Sequence, residues 1–189
     1  RAHSLKDFDS PELARQAEAA QKRALDLFDV KGTDSMSKIR HEMGQSMEEG
    51  VGIYREEESM KKTIETLKTL QNRIKNVGLT DRGRVFNTEW MNLIELGYTL
   101  DVAQCMVHSA INRKESRGSH QRLDGPDGAY KQRDDVNFLK HSLAFKQEGA
   151  DEPRIELSPV KITTFQPAKR VYGAEAEAAE AAKKAKEAK

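Results

Sequence analysis

Met60-Lys61-Lys62-Thr63-Ile64-Glu65-Thr66-Leu67-Lys68-Thr69-Leu70-Gln71-Asn72-Arg73-Ile74-Lys75-Asn76-Val77-Gly78 is the stretch that decides the fold. Met60, Ile64, Leu67, Leu70, Ile74 and Val77 recur at three- and four-residue steps, the spacing that lines one face of an α-helix. Lys61, Lys62, Glu65 and Lys68 fall on the opposite, solvated side. Gly78 supplies a helix stop. A helix with one apolar stripe must bury it against something, so the neighbouring segments decide the architecture.

Downstream, Asn87 to Arg117 reads as the longest helix, with Trp90, Leu93, Ile94, Leu100, Val107 and Ile111 on its buried side and Gly118 at its end. Gly97 sits in its middle at a cost of about 1 kcal/mol against alanine. That predicts a close backbone approach or a bend. Upstream, Ser35 opens a helix with Met36, Ile39, Met43 and Met47 in one stripe, ended by Gly50 and Gly52. Before it, Ser10-Pro11-Glu12 combines an N-cap, a proline at the first helical position and an acid in the first turn. Leu13, Ala17, Ala20, Ala24, Leu27 and Phe28 form its apolar face. Amphipathic helices joined by short glycine-containing loops predict a mainly α fold, an antiparallel bundle of three or four helices.

The pattern changes after residue 118. Gly125-Pro126-Asp127-Gly128 marks a loop. Phe138–Phe145 and Arg154–Thr164 are short and rich in aromatic or β-branched residues, which predicts a β hairpin with Pro159 at an edge. Residues 174–189 contain only Ala, Glu and Lys and are expected to fray. The expected organisation is a helical bundle over 1–118, a loop and hairpin extension over 119–173, and a low-complexity tail.

Composition narrows the functional classes. The chain has 189 residues, 33% charged and 37% hydrophobic, with a net charge of +1. That balance argues against a dedicated nucleic-acid binder. The thin apolar content predicts a face that leans on another surface. No run reaches the roughly 18 apolar residues of a membrane span. A lone Cys105 leaves no internal disulfide and points to a reducing compartment. The opening Arg1-Ala2-His3 reads as a piece of a longer polypeptide.

Candidate chemistry is sparse. Cys105 and His108 share a helix face, which suits a buried thiol beside a helix-surface imidazole better than a metal pair. The sequence has no Walker loop, no GxGxxG, no nucleophile elbow and no paired-cysteine zinc pattern. The Met36, Met43 and Met47 stripe suits core packing. Glu56, Glu57 and Glu58 suit the positive end of a helix dipole. The exception is Arg113-Lys114-Glu115-Ser116-Arg117-Gly118-Ser119-His120-Gln121-Arg122-Leu123-Asp124, followed by Arg133-Asp134-Asp135. Arginines that can grip carboxylates with two parallel bonds are concentrated here beyond the needs of a solvated helix end. The segment is either a structural ion-pair knot or a docking face. RNA binding is disfavoured, because stacking aromatics are absent from it.

The same segment, with Arg133-Asp134-Asp135-Val136-Asn137-Phe138-Leu139-Lys140-His141, resembles the C-terminal region of bacterial fumarate reductase flavoprotein subunits. Related versions of the first motif occur in succinate dehydrogenase flavoproteins and L-aspartate oxidases. Val160-Lys161-Ile162-Thr163-Thr164 and Pro167-Ala168-Lys169-Arg170-Val171-Tyr172-Gly173 resemble the fumarate reductase ending in particular. So do Met43-Gly44, Met47-Glu48-Glu49-Gly50 and Gly52-Ile53-Tyr54-Arg55. The loop 125–132 departs from the family pattern.

The resemblance implies a larger enzyme that carries FAD in an N-terminal domain, takes quinol electrons through an iron–sulfur subunit and reduces fumarate to succinate. It also implies attachment, through membrane anchor subunits, to the cytoplasmic face of the inner membrane. The family's catalytic, flavin-linking and substrate-binding residues match no position in this chain. No cofactor or metal is therefore assigned to it, and its expected role is structural. Arg113, Glu115, Arg117, His120, Arg122, Asp124, Arg133, Asp134 and Asp135 are expected at a boundary with the flavin-binding and capping domains or with the iron–sulfur subunit. Two alternatives are the equivalent domain of a succinate dehydrogenase, and a free-standing helical adaptor for an acidic partner.

Overall fold

A computed structural model describes residues 10–126, 128, 130, 133–147, 149–168, 172–174, 177, 178 and 181. The chain divides into two units, one up to Ser158 and one from Pro159 onward. The first is mainly α, with one small antiparallel hairpin. Its elements run α1 (Pro11–Asp26), α2 (Met36–Val51), β1 (Tyr54–Arg55), α3 (Glu57–Arg73), α4 (Thr88–Asn112), β2 (Gln121–Arg122), α5 (Asp135–Phe138), β3 (Lys140–Phe145) and β4 (Arg154–Pro159).

The core lies where α2, α3 and α4 meet. Ile39 and Val51 from α2 interlock with Met60, Ile64, Leu67 and Leu70 from α3, and with Leu93, Leu96, Leu100 and Val107 from α4. Met36, Met43 and Met47 pack against this cluster half-buried, as a core-facing stripe should. Thr63, buried in α3, donates to the Ser46 carbonyl at 3.1 Å and so ties α3 to α2. Ser10, Ser35 and Asn87 cap the three helices they precede, each accepting a backbone N–H.

The helix α1 stands apart from this core. None of its residues is buried. Alanines make up most of its apolar face, and they bury too little area to hold a helix flat on a neighbour. It is tied down at its C-terminal end, where Trp90 Nε1 donates to the Ala24 carbonyl at 2.8 Å and the Trp90 ring meets Phe28 at 5.1 Å. The bundle proper therefore has three helices.

Helix ends depart from expectation in two places. The α3 helix gives way to a tight 3₁₀ turn, Ile74–Asn76, before Gly78 is reached. Gly78 serves a close approach instead: a Cβ there would collide with the Gly32 carbonyl, and one on Gly32 would collide with Asn76. The longest helix ends at Asn112, five residues before Arg117, with Arg113 in extended backbone. Gly97 meets no close backbone. A Cβ there would find only the Ile74 Cδ1 atom, at 3.9 Å.

The hairpin also starts and stops differently. Asp134 accepts the N–H groups of Val136 and Asn137, winding a short helical turn where the first strand was expected to begin. The second strand ends at Pro159 instead of running to Thr164, because proline has no N–H to continue the ladder. In the second unit, the Glu177 N–H donates to the Gly173 carbonyl at 3.2 Å. Most of the expected fraying tail lies outside the described residues.

Candidate functional site

The chain reverses just after α4, and the reversal builds the site. Arg117 and His120 pair across a tight turn, N–H to carbonyl in both directions, at 2.9 and 3.1 Å. Gly118 makes this possible with a φ of +59°, left-handed backbone that other residues avoid. The turn delivers β2 beside β1 in parallel, with Tyr54 opposite Gln121 and Arg55 opposite Arg122. That pairing had no signal in the sequence, since two-residue strands carry no periodicity.

Arg122 is the centre of one half of the site. It is 1% exposed. Its Nε and Nη2 atoms donate to the two oxygens of Asp124 at 2.8 and 2.9 Å. Its Nη1 donates to the carbonyls of Ala110, Ile111 and Arg113 at 3.0–3.2 Å. These carbonyls lie at or just past the C-terminal end of α4, the negative pole of its dipole. The guanidinium is thus the cap that stops α4 at Asn112. Asp124 in turn accepts the Glu57 N–H at 2.6 Å. Glu57 opens α3, and Glu56, the residue at its cap position, makes no side-chain cap of its own. One bidentate ion pair therefore closes the negative end of one helix and the positive end of another. The Arg122 bonds, followed by the Glu57 N–H, pull the Asp124 pKa down to about 2. Glu57 also pairs with Lys61 four residues on.

Glu115 is the centre of the other half, again 1% exposed. It accepts from Arg113 at 2.6 Å, from Arg117 at 2.8 and 3.0 Å, and from the Asp134 N–H at 2.7 Å. Burial alone would raise its pKa, but these bonds overcome that and hold the carboxyl below its ordinary value. Arg117 reaches on to Asp135 at 2.8 Å, where Arg133 also binds, at 2.7 Å. Arg113 donates to the carbonyls of Phe138 and Lys140 at 2.7 and 2.8 Å and so fastens β3 to the end of α4.

His120 bridges the two halves. Its Nδ1 faces Arg55 Nη1 at 2.8 Å and its Nε2 faces the Arg113 carbonyl at 2.9 Å. A guanidinium can only donate and a carbonyl can only accept, so the imidazole is neutral with its proton on Nε2. Burial, then the charges of Arg55, Arg122 and Arg113, push its pKa down. All nine residues singled out from the sequence thus meet in one network. Arg55 and Glu57, which the sequence placed in a family motif and at a helix start and not in this cluster, complete it.

Two recesses flank the outward side of α4. One, of about 550 Å³, is lined by Val102, Cys105 and Met106 together with Arg55, Arg113, Arg117 and His120. The other, of about 670 Å³, lies among α1, α3, α4 and the hairpin turn, and includes Gly97, Tyr98 and Gln104. Burial raises the Cys105 pKa, with Asp101 adding to it, and burial lowers that of His108. Among the described residues no group of three or more His, Cys, Asp or Glu side chains is placed to hold a metal ion. No helix among them is long and apolar enough to cross a membrane.

The fold and the network define a class of protein: a three-helix domain whose helix ends are locked by buried arginine–carboxylate pairs. The family model described as "Fumarate reductase flavoprotein C-term" matches residues 40–172. A fumarate reductase flavoprotein subunit of Serratia sp. is 59% identical over 89% of this chain and 27% of its own length. A succinate dehydrogenase flavoprotein subunit of Coxiella burnetii is 36% identical over 70% of the chain and 22% of its own length. The solved structure of an E. coli quinol fumarate reductase FrdA variant superposes with a TM-score of 0.76 at 54% identity, covering 84% of this chain and 26% of that one. The chain belongs to the fumarate reductase flavoprotein C-terminal family. It spans less than a third of the length of these relatives.

Proposed function

We propose that this chain is the C-terminal structural domain of a flavoprotein subunit whose whole enzyme reduces fumarate to succinate, and that it is inactive by itself. The observation that carries the reading is the nine-residue network. Its charges are spent on joining α3, α4 and the hairpin, which is what a rigid docking module requires. The higher identity to the Serratia fumarate reductase subunit than to the Coxiella succinate dehydrogenase subunit favours the fumarate-reducing direction.

FAD belongs to the preceding portion of the subunit in this reading. Among the described residues there is no glycine-rich strand-to-helix turn for a dinucleotide diphosphate, and the Arg113, Arg117 and Arg122 forks are engaged by carboxylates. When bound, the flavin supplies the hydride chemistry, and the residues here hold geometry. Arg113, Arg117 and His120 line the recess beside α4 and border the boundary with the flavin-binding and capping domains or the iron–sulfur subunit. Glu115, Arg122 and Asp124 stiffen it from within. The assembled enzyme would sit peripherally on the cytoplasmic face of the inner membrane through its partner subunits.

The test is complementation. The FAD-containing preceding portion of the Serratia relative is co-expressed with and without this chain, and fumarate reduction by a reduced dye is measured. Activity that needs both pieces is expected. Activity of the preceding portion alone at the same level, or of this chain alone, would contradict the proposal.

A further inference from the structure

Gly97 stands in the middle of α4 without the close backbone contact that would call for it. The helix runs unbroken from Thr88 to Asn112, and a Cβ on Gly97 would find only the Ile74 Cδ1 atom, at 3.9 Å. A glycine inside a helix lowers stability relative to alanine. What it leaves here is space. Gly97 lines the recess of about 670 Å³ among α1, α3, α4 and the hairpin turn, and small-molecule sites span roughly 300–1,000 Å³. The floor of the recess is apolar, with Leu93 and Leu100 buried and Leu27, Ile74 and Ile94 half-buried.

One polar group interrupts that floor. Gln104 is 2% exposed, and its Oε1 atom is buried with no hydrogen-bond partner among the described residues. Its Nε2 atom donates to the Ile64 carbonyl at 3.4 Å and to Gln71 Oε1 at 3.3 Å, which fixes the sense of the amide. Of the two recesses, Gln104 borders this one alone. A buried acceptor left unpaired is costly, and a donor entering from the recess relieves the cost. The rim is charged and exposed. Arg23 and Lys146 have no carboxylate partner among the described residues, and Lys75 bonds the neutral Asn72 side chain at 2.9 Å. Of the acids at the rim, Glu152 is taken by Lys68 at 2.8 Å and Asp101 by the Gln71 amide at 2.8 Å, which leaves Asp151.

We infer that this recess binds a small amphipathic organic anion. Its compact apolar body lies over Gly97 and Leu93, its carboxylate meets Arg23, Lys75 and Lys146 at the rim, and a hydroxyl donates to Gln104 Oε1. Apolar walls with a few polar groups that fix orientation are the ordinary make-up of a ligand pocket. The side chain that Gly97 lacks is the room the ligand takes. All the lining residues belong to the first unit of this chain, so the site does not depend on the proposed role in a larger enzyme.

The test is a calorimetric titration of the 189-residue chain with 6-hydroxy-2-naphthoate and with two compounds that each lack one feature, 2-naphthoate without the hydroxyl and 2-naphthol without the carboxylate. Saturable binding at a single site is expected. The full compound should bind roughly three- to tenfold more tightly than 2-naphthoate, the gain from one hydrogen bond. It should bind roughly two- to fivefold more tightly than 2-naphthol, the gain from an exposed charge pair. Gln104→Leu should erase the first preference and keep the second, while Arg23→Ala/Lys146→Ala should do the reverse. Gly97→Leu fills the recess and should weaken all three compounds on the order of tenfold or more. Chemical-shift mapping needs no substitution: the amide signals of Gly97, Tyr98 and Gln147 should move on binding, and those of Arg117 and His120 should stay. No saturable binding, equal affinity for the three compounds, or shifts confined to other residues would overturn the site. So would undiminished binding by a folded Gly97→Leu chain.

Discussion

At the scale of single residues, Arg122 has the largest consequences. It satisfies three carbonyls at the end of α4 and, through Asp124, an N–H at the start of α3. Breaking a buried pair from one side leaves the other charge stranded, at a cost of about 3–5 kcal/mol. Arg122→Met is expected to lower the melting temperature by ten degrees or so or more. Arg122→Lys should rescue little, since an ammonium cannot form the fork. The network also writes a pH signature. Asp124 has a folded pKa of about 2, below its ordinary 3.8. A depressed carboxylate contributes stability that is present above the unfolded value and lost as pH falls from about 4 toward 2. His120, also depressed, works in a higher window: the unfolded chain takes up the proton first, so stability declines as pH drops below about 6.5. Melting curves of the wild type, Asp124→Asn and His120→Gln between pH 2 and 8 check this. Asp124→Asn should flatten the lower window and His120→Gln the upper.

At the scale of elements, two glycines make opposite predictions. Gly32 has no room for a Cβ beside Asn76, whereas a Cβ on Gly97 would make only an ordinary contact with Ile74. Gly97→Ala should therefore stabilise by roughly 0.5–1 kcal/mol, and Gly32→Ala should destabilise by about 1–3 kcal/mol. Denaturant midpoints of the two variants decide both. Element starts were legible in the sequence because caps are local chemistry: Ser10, Ser35 and Asn87 stand where the structure needs them. Helix ends were less so. What stops α4 is the side chain of Arg122, ten residues beyond Asn112, and no local pattern announces a cap delivered from that far along the chain. The same holds for β1 and β2, whose pairing depends on the turn at Gly118.

At the scale of the whole molecule, the thin apolar composition and the unfinished outward side of α4 express one property. The chain buries one compact core among three helices, and leaves α1 and Met91, Tyr98, Val102 and Met106 of α4 with little cover. The arginine-rich segment was legible as a cluster, since so many fork-forming side chains have few other uses. Its division of labour was not. Glu115 and Arg122 are buried and matched within the chain, while Arg113, Arg117 and His120 reach a recess. Burial depends on where the turn at Gly118 places each side chain, and composition cannot report it. In the proposed role, the buried network is a frame complete before any partner arrives, and association happens on the side of α4. Amide hydrogen exchange, on the chain free and bound to the preceding portion of the flavoprotein, tests this most directly. The N–H groups of Glu57, Gln121 and Leu123, which the network and β1–β2 pairing hold, should exchange slowly in both states, while residues 98–106 gain protection on binding. Fast exchange of those three amides in the free chain, slowed only by association, would contradict the account and make the network itself the interface.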